Sequence, residues 1–113
     1  MSQFQDGSLQ QDLIRIFGKS DVFTDPADCW VYGYDNSKKQ MLPEAVVFPK
    51  THEEVEELAT LCHLNNVPLT ARGRGTGTTG ATVPLKGGIV ASFERMVQML
   101  EFSKENRYVV VQP

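Results

Sequence analysis

The sequence predicts an α/β (α+β) fold, a short and partly parallel sheet flanked by helices, and three observations carry that prediction. A short apolar run, Ala45-Val46-Val47-Phe48, is bounded by Pro43 and Pro49, the mark of a buried strand. An amphipathic segment opens at Thr51. A second strand-like run follows from Val67 to Arg72, weakened by Pro68. Strand, helix and strand within about thirty residues make a βαβ unit, which implies a parallel pair joined by a right-handed crossover.

Taken in order, Leu9 to Phe17 predicts a short helix with Leu9, Leu13, Ile16 and Phe17 on one face, Ser8 as cap and Gly18 as terminator. Asp21 to Gln40 reads as loop, punctuated by Pro26, Gly33 and several Asp, Asn and Ser, with Trp30, Tyr32 and Tyr34 anchoring it by packing. In the segment after Pro49, Thr51 and Glu54 fit the N-cap and N3 positions of a capping box. Glutamates crowd its first turns, where the helix dipole favours them. Val55, Leu58, Ala59 and Cys62 form its apolar stripe, and Asn65-Asn66 can end it in the left-handed region. Ile89 to Phe93, Gln98 to Phe102 and Tyr108 to Val111 predict three further strands.

The chain has 113 residues, 41% of them hydrophobic and 22% charged, which suits one small globular domain. Its net charge of −3 argues against a general nucleic-acid or membrane-surface binder, whose footprint is basic. No apolar run approaches the roughly 20 residues of a membrane span. The N-terminus lacks the basic and apolar regions of a signal peptide, so the expected setting is cytoplasmic, or peripheral at the inner membrane within a larger parent. Cys29 and Cys62 have neither metal nor CxxC spacing, and no metal ligand or catalytic acid or base stands out. His52 and His63 read as surface residues and Cys62 as core.

The charges are uneven. Between Leu58 and Phe93 there is no Asp or Glu, yet Arg72, Arg74 and Lys86 lie there. The same stretch holds the run PLTARGRGTGTTG (68–80), with Gly73, Gly75, Gly77 and Gly80 inside eight positions. Glycine lets a ligand approach the backbone closely, and successive N–H groups can converge on one anion. Thr76, Thr78 and Thr79 add hydroxyl donors, and Arg72 and Arg74 add charge. A pyrophosphate, with two charges and several acceptor oxygens, requires that combination. The competing structural reading is a plain surface turn.

Two familiar phosphate loops fit poorly. Residues 75–80 satisfy GxGxxG, but Pro84, Gly87 and Gly88 follow, and eight residues (81–88) leave no room for the crossover helix that fingerprint needs. Glu94 then only mimics the ribose-binding acid of that motif. A Walker A reading fails because Ala81 stands where lysine is required.

In the remaining arrangement a helix precedes the loop, and the loop leads through an irregular stretch into another strand. The run PLTARGRGTGTTGATVP (68–84), with PEAVVFP (43–49), THEEV (51–55) and GGIVASFERM (87–96), resembles the FAD-linked oxidases with a vanillyl-alcohol-oxidase or PCMH-type FAD-binding domain. YGYDNS (32–37) is similar to the subgroup of glycolate oxidase FAD subunits and D-lactate dehydrogenases.

The resemblance implies the first subdomain of a two-part FAD-binding domain, with residues 1–42 as a helix-and-loop lead-in and 43–113 as the truncated subdomain. It implies that Arg72, Gly73, Arg74, Gly75, Thr76, Gly77, Thr78, Thr79 and Gly80 bind the cofactor pyrophosphate. Some family members attach FAD through a histidine in or beside this loop; no His or Cys lies between His63 and Pro113, so non-covalent FAD is expected. The parent would oxidise a 2-hydroxy acid such as D-lactate or glycolate. Its partners in that case are FAD, the absent second half of the FAD domain and an absent substrate domain. The alternatives are a non-catalytic nucleotide- or anion-binding module, or a fragment too incomplete to hold FAD. The apolar strand near Tyr108 has nothing after it to cover it, so self-association through its edge is expected.

Overall fold

A computed structural model of the chain describes residues 8–33, 40–73 and 87–112. Its elements are α1 (Ser8–Phe17), β1 (Val22–Phe23), α2 (Pro26–Cys29), β2 (Ala45–Val47), α3 (His52–Leu64), β3 (Leu69–Arg72), β4 (Ile89–Ser92), β5 (Met99–Ser103) and β6 (Tyr108–Val111). A four-stranded sheet has the order β1-β2-β4-β3, and β5 and β6 form a separate antiparallel pair.

The βαβ unit forms, but its two strands are not neighbours. β2 and β3 each pair in parallel with β4, which lies between them. Burial explains the order. Every residue of β2 and β4 is buried, the signature of strands covered on both faces, whereas β3 is largely exposed and suits an edge.

The loop expected from Asp21 to Gln40 also contains structure. Val22 and Phe23 pair antiparallel with Val47 and Val46, so the lead-in closes the other edge of the sheet. Asp25 caps α2 by accepting a hydrogen bond from the Ala27 amide at 2.9 Å, with Pro26 in the first turn. That Asp-Pro pair was a legible helix start. Tyr32 anchors the segment as expected, packing edge-on to Phe23 and Phe48 with ring centroids 6.3 and 5.5 Å away. Trp30 does not, since half its surface faces solvent; Tyr34 lies outside the described residues.

Two apolar layers clothe the sheet. On one face Ala45, Val47, Ile89 and Ala91 meet Leu13 and Phe17 of α1 and Leu58 and Cys62 of α3. On the other, Val46 and Val90 meet Cys29 and Phe48, with Phe23 and Tyr32 packed against them. Of the expected α3 stripe, Leu58 and Cys62 lie in the core, whereas Ala59 is exposed and Leu61, partly buried, packs on the core instead. Thr51 Oγ1 accepts from the Glu54 amide at 3.1 Å, while Glu54 Oε1 reaches one residue further back than the standard box and accepts from the Lys50 amide at 2.9 Å. Asn66 ends the helix at φ 54°.

One buried charge cluster ties the lead-in to the sheet. Asp21 is only 1% exposed, with Lys50 Nζ 2.8 Å from Oδ2 and Arg95 Nη1 2.7 Å from Oδ1. Lys50 follows β2 and Arg95 follows β4, so the carboxylate pins the carboxyl ends of both central strands.

Candidate functional site

In open parallel sheets, ligand sites form beyond the carboxyl ends of the strands. Here β3 and β4 end side by side, with Arg72 in register with Ser92. The glycine-rich stretch leaves from Arg72-Gly73 at that end. It rejoins β4 at the opposite end, where the Ile89 amide donates to the Pro68 carbonyl at 2.9 Å. The connection therefore passes from the carboxyl end of one strand to the amino end of its parallel neighbour. Gly88 completes that return at φ 77°, and a Cβ there would meet the Pro68 carbonyl oxygen at 2.2 Å, so only glycine fits.

Of the residues assigned to the cofactor by sequence, Arg72 and Gly73 are placed at the site. Arg74, Gly75, Thr76, Gly77, Thr78, Thr79 and Gly80 lie outside the described residues. Arg72 is buried to 7% exposure, and its guanidinium carbon lies 5.7 Å from the centroid of the Tyr32 ring, within cation–π range.

A cleft of about 710 Å³ opens at this end of the sheet. Its polar lining is Tyr32, Arg72, Gly73 and Glu94; Val31, Phe93, Met96 and Val97 form apolar walls. The Tyr32 hydroxyl donates to Glu94 Oε1 at 3.1 Å. Burial and that carboxylate push the Tyr32 phenol up from its ordinary value, with Arg72 and Arg95 acting weakly the other way. The phenol therefore stays protonated and remains a donor.

Ser92, in register with Arg72, is 1% exposed, and its Oγ has no hydrogen-bond partner among the described residues. A buried hydroxyl left unsatisfied costs about 1–3 kcal/mol. Sequence reasoning missed Ser92 and set Glu94 aside; the available signal was their place at the end of a predicted strand directly after the glycine-rich connection.

Neither cysteine belongs to the site. Both are free and buried, and burial pushes their thiols up to about 11. His52 and His63 are exposed, and His52 Nε2 contacts Glu56 Oε1 at 2.7 Å on the outer face of α3. Among the described residues no cluster of His, Cys, Asp or Glu could hold a metal ion. Nor is any described helix long and apolar enough to cross a membrane.

The profile of the FAD binding domain family matches residues 43–113. The chain belongs to that family. It is 36% identical over 106 residues to the glycolate oxidase subunit GlcD of Bacillus subtilis, covering 93% of this chain and 23% of that protein. It is 35% identical over 109 residues to D-2-hydroxyglutarate dehydrogenase of Stutzerimonas stutzeri, covering 96% of this chain and 24% of that protein. The chain thus spans about a quarter of the length of these curated relatives.

Among solved structures, an alkyldihydroxyacetonephosphate synthase superposes with a TM-score of 0.85 at 22% identity, over 98% of this chain and 24% of its own. p-Cresol methylhydroxylase superposes with a TM-score of 0.84 at 20% identity, over 100% of this chain and 23% of its own. These likenesses show the fold, that of a PCMH-type FAD-binding domain with a mixed α/β, partly parallel sheet. The cofactor of the family, and of this chain, is FAD.

Proposed function

We propose that this chain supplies the pyrophosphate-holding part of the FAD site in a flavin-dependent oxidoreductase that oxidises a 2-hydroxy acid of the D-lactate or glycolate type to its keto acid. The observation that carries the reading is where the glycine-rich stretch begins: at the carboxyl end of β3, beside buried Arg72 and next to the carboxyl end of β4. An anionic ligand there meets a guanidinium held in place by the Tyr32 ring, in a stretch free of acidic residues from Leu58 to Phe93. Arg72 and Gly73, with the backbone amides and hydroxyls of residues 74–80, would hold the two phosphates by charge-assisted hydrogen bonds. The names of the relatives, glycolate oxidase and D-2-hydroxyglutarate dehydrogenase, support the hydroxy-acid substrate class. When bound, FAD supplies the hydride acceptor at N5; the chain's own residues bind and orient it.

The test is flavin content in the intact protein. The unmodified protein is expected to purify with the visible flavin band, bleached by glycolate or D-lactate under anaerobic conditions, and to release its flavin into the supernatant on acid precipitation. Gly75→Val and Gly77→Val are each expected to abolish flavin content. Undiminished flavin in both would sink the cradle assignment, and flavin retained in the acid pellet would refute non-covalent binding.

The same reading takes residues 1–42 as a lead-in and 43–113 as the first subdomain, in a cytoplasmic protein or one peripheral to a membrane. It also includes self-association of the isolated chain through β6. Met99, Leu100, Phe102 and Val109 to Val111 are exposed, and two strands alone fall short of the three that independent stability requires. Light scattering of a strict monomer at high concentration would refute it.

A further inference from the structure

We infer that the lead-in takes part in the phosphate site: the Tyr32 ring is the platform that positions the Arg72 guanidinium at the cleft. The inference rests on the reading of Arg72 as a phosphate ligand given above, and extends it to a residue outside the stretch that the family profile matches, 43–113.

A guanidinium on a long side chain holds an anion more tightly when it is already in place, because less rotamer freedom is lost on binding. Arg72 ends β3 and lines the cleft beside Tyr32 and Gly73. The strand fixes its backbone but not its side chain. Its guanidinium carbon lies 5.7 Å from the centroid of the Tyr32 ring, where the π face attracts a cation. A ring supports the cation without the full opposite charge of a carboxylate, so the guanidinium keeps its attraction for phosphate.

Tyr32 is itself firmly held. Phe23 and Phe48 pack edge-on to it, with interplanar angles of 62° and 79°, and its hydroxyl donates to Glu94 Oε1 at 3.1 Å. Phe48 is 1% exposed and carries the Arg95 guanidinium carbon 5.0 Å from its own centroid. Arg95 in turn reaches the buried Asp21 at 2.7 Å. A continuous line of contacts, Asp21 to Arg95 to Phe48 to Tyr32 to Arg72, therefore runs from a lead-in carboxylate to the cleft. The pairing of Val22 and Phe23 with β2 brings the lead-in to that position. Tyr32 is thus a positioning residue that acts through Arg72.

The test uses the intact protein, freed of flavin, and has one readout that needs no ligand. In the unmodified protein the Arg72 Hε proton resonance is expected upfield, shifted by the ring current of Tyr32. It should stay there in Tyr32→Phe, which keeps the ring, and move downfield in Tyr32→Leu. An Arg72 resonance at the ordinary arginine position in the unmodified protein overturns the inference, and this measurement decides the matter should Tyr32→Leu fail to fold. FAD titrations supply the second readout. Tyr32→Leu is expected to weaken FAD binding about tenfold, within the range of a partly desolvated cation–π contact, and Tyr32→Phe by no more than about twofold. A Phe variant as weak as the Leu variant would make the Glu94 bond, not the ring, the support, and overturns the inference. Arg72→Met should weaken FAD by at least about tenfold, and adding Tyr32→Leu to it should cost less than about twofold more. A full tenfold loss in both backgrounds identifies Tyr32 as merely structural and also overturns the inference. Undiminished FAD affinity in Arg72→Met instead removes the underlying reading of Arg72 as a phosphate ligand, whatever its resonance shows.

Discussion

The Asp21 cluster allows a stability prediction whose order is as informative as its size. Asp21→Asn removes the buried carboxylate while both cations remain. Lys50 and Arg95 are 54% and 43% exposed, so each can turn back into water when its partner is lost. The gross attraction is about 6 kcal/mol per pair at an effective dielectric of 20, but desolvation of the carboxylate offsets most of it. The net loss is therefore about 1–3 kcal/mol, less than for a wholly buried pair. With an unfolding entropy of about 0.24 kcal/mol per degree for a chain of this length, the melting temperature falls by roughly 4–13 °C. Lys50→Met and Arg95→Met should each cost less, since the other cation still neutralises Asp21. The double variant should cost most, about 3–5 kcal/mol, because it leaves a buried carboxylate with no partner. Urea unfolding of the four variants at low salt and at 1 M NaCl measures the series, and the Asp21→Asn penalty should shrink at high salt. A double variant no less stable than either single one would refute the account of Asp21 as a buried charge that needs both cations.

Four further outcomes follow from the packing. Leu58→Ala opens a cavity where α3 meets the sheet and should cost about 2–5 kcal/mol by denaturant unfolding, whereas Ala59→Ser, on the exposed face, should change stability by less than about 0.5 kcal/mol. Gly88→Ala forces a Cβ onto the Pro68 carbonyl at a positive φ and should cost at least about 2 kcal/mol, seen as a lower urea midpoint; an unchanged midpoint would mean the β3–β4 junction is looser than described. Cys29 and Cys62, with thiols pushed up to about 11, should resist a thiol reagent at pH 8 until the protein is unfolded. Because those thiols hold their protons more tightly folded than unfolded, their contribution to stability is present below about pH 9 and is lost as pH rises toward 11, so unfolding free energy should fall over that window.

Local chemistry in the sequence determined a good deal by itself. Thr51 and Glu54 marked the start of α3, and Asn66 its left-handed end. The proline-bounded run 45–48 formed a strand buried on both faces. Each of these signals lies within a few residues, where propensity and capping act. Tertiary packing decided the rest. Nothing in residues 45–72 shows that β4 will slip between the two strands of the βαβ unit. That follows from comparing burial across all four strands, since an entirely buried strand takes the centre and a half-exposed one the edge. Val22 and Phe23 form a strand only because Val46 and Val47 offer them an open edge. Tyr32 and Glu94 stand far apart in sequence, and only the fold brings the phenol within 3.1 Å of the carboxylate, with the Arg72 guanidinium over the same ring. Hydrogen bonds and charge act over a few ångströms of space, whatever the separation along the chain.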